Sequence, residues 1–205
     1  MSTLPEVRAL WAQVALRRRA RFSSEERETA GFVEPTYLDQ THTALAFEWL
    51  PAEMVLAVTD ANARMGLRSA AVDFLRDELL RPPLGAMVRG LRRAAGGDPL
   101  GAAQTILRYG MHSLIRQSGE IRIDVDDGRL VVQHIDPPSI FVDSLSYREV
   151  TWVSAILGIV GLESQVSRFE EDGGDLLCIA EVTPESGALR PATGASRDWP
   201  ARGGH

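Results

Sequence analysis

The sequence predicts an α+β fold: a helical N-terminal half, followed by a hairpin–helix–hairpin unit whose strands form an antiparallel sheet covered by helices. Three observations carry this. Apolar residues recur with helical spacing from Val7 to about residue 116. The period changes at Glu120, where Ile121, Ile123 and Val125 alternate with charged residues and lead into the turn Asp126-Asp127-Gly128. A second strand pair, Gln165–Glu170 and Leu176–Val182, is joined by Glu171-Asp-Gly-Gly-Asp175. The apolar stretch Val150–Leu162 lies between the two pairs.

In chain order, Thr3-Leu-Pro-Glu6 has the form of a capping box, and Val7, Leu10, Trp11 and Val14 mark one face of the helix it would open. Arg17, Arg18, Arg19 and Arg21 close that helix as cations at its negative dipole end, and they read as a solvated helix end. Ser23–Glu26 caps a short second helix that stops at Gly31. Two helices are expected between Thr36 and Gly66, with Pro51 at the start of the second. Ser69–Leu80 is the next, halted by Pro82-Pro83. Leu84–Ala95 then runs into Gly96-Gly97, and Asp98-Pro99 caps a helix reaching about Arg116 with Gly119 just past its end.

Leu130–Ile135 returns the first hairpin, and Pro137-Pro138 ends it. Ser146-Tyr-Arg-Glu149 has the capping-box pattern and would open a helix to Leu162, apolar on nearly all sides and hence packed between two layers. Gly158 and Gly161 within it each cost helix propensity, on the order of 1 kcal/mol relative to alanine. They make sense where a backbone, a ligand or a dimer mate comes close. Residues 1–183 therefore form a single α+β domain (1–118 mainly helical, 119–183 hairpin–helix–hairpin). Residues 184–205, rich in Pro, Gly, Ala, Ser and Arg, read as a disordered tail.

Composition bounds function. The formal charge of −6 does not favour binding to nucleic acid, which needs a basic surface. All 22 basic residues are arginine, so Schiff-base, phosphate-loop and Ser-Lys chemistry that depends on lysine is ruled out. A single cysteine, Cys178, permits no internal disulfide and sits among Leu176, Leu177 and Ile179, as a small buried hydrophobe would. The longest apolar run, thirteen residues, is too short to span a bilayer, and the N-terminus shows no secretory signal. A soluble cytoplasmic chain is the expectation, with no membrane partner.

Candidate chemistry is sparse. His112, late in the helix after Pro99, could serve as an axial haem ligand or a polar pocket group, although that position also suits a histidine electrostatically. Trp49, Tyr109 and Trp152 are candidate pocket aromatics, with core packing as the ordinary alternative. His134-Ile-Asp136 puts two polar side chains on one strand face, where they could act as base and orienter or bind metal. His42, His112 and His134 nevertheless fall in different elements, without metal-ligand spacing. Asp124–Gly128 lacks the ligand positions of a calcium loop and reads as a hairpin turn. Tyr109, His112, Trp152 and Gly158 are thus the candidate binding or interface residues. No catalytic set, metal or cofactor is specified.

The stretch from about Leu67 to Val182 resembles a paralogous family of myxobacterial proteins of unknown function. The resemblance is carried by Leu84-Gly85, Asp98-Pro99, Gly119 and the segment Ile156-Leu-Gly-Ile-Val-Gly-Leu162, with Ala30-Gly-Phe32 and the helices after it compatible in order. The hairpin–helix–hairpin half is also similar to the ligand-binding fold shared by 4-vinyl-reductase-type domains, haem nitric-oxide sensors and vesicle-tethering TRAPP subunits. This resemblance implies a non-enzymatic sensor or adaptor, often dimeric, with an apolar pocket between helices and sheet that takes a small apolar ligand, a protein partner or both. A structural interaction subunit is the alternative, and an enzyme using His112 or His134 a more remote one. The single cysteine departs from the several that 4-vinyl-reductase-type domains often carry.

Overall fold

The computed structural model describes residues 4–66, 68–172 and 174–184. The expected tail beyond residue 184 and the expected cap residue Thr3 lie outside the described residues.

The chain enters as a strand rather than a helix. β1 (Glu6–Arg8) pairs antiparallel with β2 (Trp49–Pro51) on one side and β3 (Ile115–Arg116) on the other. Val7, Leu50 and Ile115 turn inward and are buried. Trp49 lies between the guanidinium groups of Arg8 and Arg116, 3.7 and 4.4 Å from its ring centre, and Arg116 also pairs with Glu6. The capping box expected at Thr3–Glu6 is therefore overturned, because strands from distant parts of the chain claim the backbone of residues 6–8. α1 (Ala9–Arg19) begins only after them, with no side-chain cap.

α2 (Ser24–Thr29) has the expected capping box, formed reciprocally by Ser23 and Glu26, and the chain leaves it through Gly31 at φ +98°. α3 (Pro35–Thr43) and α4 (Ala52–Ala63) follow, with Pro51 as the residue capping α4. α5 (Arg68–Leu80), α6 (Leu84–Ala94) and α7 (Pro99–Leu114) complete the helical half, and the Asp98 side chain accepts the Leu100 N–H as predicted.

β4 (Glu120–Asp126) and β5 (Arg129–Ile135) form the first hairpin. Asp127 at φ +47° and Gly128 at φ +71° supply the left-handed pair that a two-residue turn needs. β6 (Leu162–Asp172) and β7 (Asp175–Pro184) form the second, and the four strands make one antiparallel sheet in the order β4-β5-β7-β6. Ile121, Ile123, Leu130, Val132, Leu176, Cys178 and Ala180 are buried apolar residues of the sheet, and His134 is buried beside them. The β4 edge is bound by side chains of α7: Gln104 and Arg108 each donate to the Ile123 carbonyl at 2.8 Å.

Between the hairpins the expected single helix from Ser146 to Leu162 is broken. α8 (Ser139–Asp143), α9 (Leu145–Arg148) and α10 (Thr151–Ile159) replace it, and Leu162 already belongs to β6. Ser144, not Ser146, caps α9 by accepting the Tyr147 N–H. The Ser146 N–H and hydroxyl instead turn to Asp60 Oδ1 on α4, at 2.9 and 2.5 Å, where the Ser144 hydroxyl also donates at 2.7 Å. The chain then passes through Val150 at φ +46°, a conformation that a β-branched residue adopts only under constraint from its surroundings. α10 does meet two layers, packing against α5 and α7 on one side and β6 on the other. Leu157 and Val153 at its centre have no accessible surface.

Candidate functional site

Seven helices leave a cavity of about 150 Å³ among them. α1 contributes Leu10, Trp11 and Val14, α5 contributes Ala71 and Phe74, and α7 contributes Ile106 and Leu107. α4 and α6 add further walls, and Trp152 and Ile156 of α10 close it. The walls follow from the sequence periodicity: α1 and α10 turn apolar residues three and four apart toward the centre, where small residues such as Ala71 leave room. No strand residue reaches this cavity. The sequence resemblance implies a pocket between helices and sheet, whereas this one is lined by helices and the corner between α9 and α10.

A few polar groups interrupt the apolar lining: Arg18, Thr59, Asn62, Ser146, Glu149 and Thr151. Asn62 is buried and donates through Nδ2 to the Ala15 carbonyl at 2.6 Å, which leaves its Oδ1 without a partner among the described residues. The indole Nε1 of Trp152 likewise lacks one. Ser146 and Thr59 bond to each other at 2.9 Å and belong to the cluster around Asp60. Arg18 and Glu149 are half-buried. Burial makes the Arg18 guanidinium a weaker base than usual, an effect that the nearby negative charge of Glu149 opposes. Burial pushes the Glu149 carboxyl upward, while Arg68 and Arg18 pull it back.

Of the residues nominated from sequence, Trp152 lies in the cavity wall, 8% exposed. Tyr109, 50% exposed, and His112, also exposed, lie on the outer side of α7 and do not line it. Gly158 borders a separate, open groove of about 790 Å³ between α5, α10 and the β6–β7 pair. A Cβ on Gly158 would stand 2.9 Å from an Arg76 guanidinium nitrogen, so the close neighbour is a side chain of α5. Gly161 has nothing close to a Cβ position, and its need for glycine is the left-handed φ of +84° between α10 and β6.

His134 is buried beside a cluster of rings. Its Nε2 contacts the Ser118 carbonyl, so Nε2 carries the proton, and Nδ1 accepts the Tyr147 hydroxyl at 2.9 Å. Burial lowers its pKa, opposed by the Ser118 carbonyl. Asp136 takes no part: it sits past the strand end at φ +51°, its N–H bonded to Asp175. The pairing of His134 with Asp136 on one strand face is thereby corrected, because the backbone turns away between them. Cys178 is buried and its thiol is pushed up to about 12 by burial.

Sequence reasoning missed Arg18, Asn62 and Glu149. The signal for Arg18 was present: it falls four residues after Val14 and seven after Trp11, and so continues the apolar stripe. The arginine run of α1 is not merely a solvated end. Arg17 bonds the buried carboxylate of Glu78 at 2.7 Å, and the Arg21 guanidinium stands 4.6 Å over the Phe74 ring. Among the described residues, no helix is long and apolar enough to cross a membrane. Compared with protein-family models, curated proteins and solved structures, the chain matches none of them.

Proposed function

We propose that this protein is a non-enzymatic binding module that takes a small apolar ligand into the helix-walled cavity and serves as a sensor or adaptor. The observation that carries the reading is the cavity itself: about 150 Å³, apolar on most sides, with a few convergent polar groups. An engineered apolar cavity of about 150 Å³ accepts benzene, so a single ring or a branched aliphatic group is the size of ligand to expect. Fold likeness alone would not support this, since one architecture hosts many functions.

The test is the melting temperature of the full chain with and without toluene, in the native sequence and in Ala71→Leu. Ala71 is buried on α5 and lines the cavity. Toluene should raise the native melting temperature, because a ligand that binds only the folded state stabilises it by mass action. The Ala71→Leu side chain should occupy the same space and abolish the rise. No rise in the native chain at saturating toluene refutes the reading.

A structural interaction subunit is the second reading. It is favoured by Leu45 and Phe47, 78% and 61% exposed in the loop between α3 and β2. Self-association or a protein partner at this loop would show as a mass change in light scattering that Leu45→Ser/Phe47→Ser removes.

A further inference from the structure

The cavity has one charged side chain of each sign. Arg18 comes from the last turn of α1 and Glu149 from the corner between α9 and α10. The Arg18 guanidinium donates one hydrogen bond, to the Met65 carbonyl at 3.2 Å, and stands 5.7 Å from the Phe22 ring. It forms no ion pair with a carboxylate of the described residues. Glu149 likewise has no ion pair and no side-chain hydrogen bond among them, although it feels the charges of Arg18 and Arg68. Each group is thus half-withdrawn from water without an ion-pair partner among the described residues, and the two line a common apolar space.

A guanidinium offers a planar fork of donors suited to a carboxylate, and a carboxylate accepts several N–H bonds from an ammonium. A ligand satisfying both must carry the two opposite charges close together and an apolar group beyond them. A plain hydrocarbon leaves both unpartnered, and a simple acid or a simple amine leaves one. We infer that the cavity takes a free α-amino acid with an apolar side chain, its carboxylate on Arg18, its ammonium on Glu149 and its side chain among Val14, Ala71, Leu107 and Ile156. This rests on the reading of the cavity as a ligand site.

The experiment is calorimetric titration of the full chain at pH 7 with four probes that share one ring: L-phenylalanine, 3-phenylpropionate, 2-phenylethylamine and toluene. L-Phenylalanine should bind at least tenfold more tightly than any of the other three. Arg18→Gln should lower its affinity tenfold or more, to the level of 2-phenylethylamine, and Glu149→Gln should lower it to the level of 3-phenylpropionate. A native far-ultraviolet circular dichroism spectrum reports that each variant is folded. Toluene binding as tightly as L-phenylalanine, with both variants unchanged, overturns the amino-acid assignment and leaves the apolar cavity standing. 3-Phenylpropionate equalling L-phenylalanine, with Glu149→Gln silent, overturns it in favour of a plain carboxylic acid. No binding of any probe overturns both readings.

Discussion

Tyr147→Phe isolates one buried hydrogen bond. The ring of Tyr147 packs at 5.1 Å from Phe141 and 6.4 Å from Trp152, and phenylalanine keeps both contacts. What is lost is the hydroxyl that donates to His134 Nδ1 at 2.9 Å, in a place where Tyr147 and His134 are 3% and 2% exposed. Water cannot replace it there, so the ring nitrogen keeps an unpaired lone pair. Leaving a buried acceptor unsatisfied costs about 1–3 kcal/mol. For a domain of this size that is a fall in melting temperature of about 2–12 °C, since 1 kcal/mol corresponds to roughly 2–4 °C. Urea denaturation at pH 7 should show a lower midpoint with an unchanged slope, because the surface exposed on unfolding is the same. Acid should act on this site through His134. Its pKa is lowered in the fold and about 6.5 when unfolded, so the unfolded chain binds the extra proton first. The stability from the neutral ring is present above about pH 6.5 and is lost as pH falls below it. A Tyr147→Phe variant that melts within about 1 °C of the native chain at pH 7 would refute the assignment of this bond as buried and intact.

Three further outcomes are expected. Leu157→Asp should abolish folding, since it replaces a side chain with no accessible surface by an unpaired charge, at a cost on the order of 5 kcal/mol or more; a native far-ultraviolet circular dichroism spectrum would make α10 peripheral. Gly119→Ala should destabilise by more than about 2 kcal/mol, because its φ is +94° and a Cβ would stand 2.4 Å from the Ile135 carbonyl oxygen and 2.6 Å from that of Asp136. An unchanged urea midpoint would contradict that geometry. Cys178 should resist a thiol reagent at pH 8 until denaturant is added, given a thiol pushed up to about 12 inside the sheet core; labelling within seconds of mixing under native conditions would show that the strand opens.

The helices from α2 to α7 and both hairpins were legible in the sequence alone, because each rests on signals within a few residues. Ser23 and Glu26 cap α2 reciprocally, Asp98 caps α7, and Asp127-Gly128 turns the first hairpin, all through contacts of short reach. Trp152 could be nominated for a pocket from its residue type and place in an apolar run. Tyr109 was nominated as an aromatic and His112 as a haem ligand or polar pocket group late in a helix, and only packing put them on the outer side of α7. Tertiary structure decided the rest. Val7 fits a helical stripe and a buried strand equally well, and the choice came from partners at Leu50 and Ile115. Ser146 reads as a cap until Asp60, 86 residues earlier, takes its N–H, and the chain turns at Val150 before the next helix starts. The same fold carries Glu149 from its local capping pattern to the side of a cavity that holds Arg18 from the first helix. Local pattern sets what each segment prefers; which charged groups share one apolar space depends on how the helices stack, and no window of neighbouring residues contains that information.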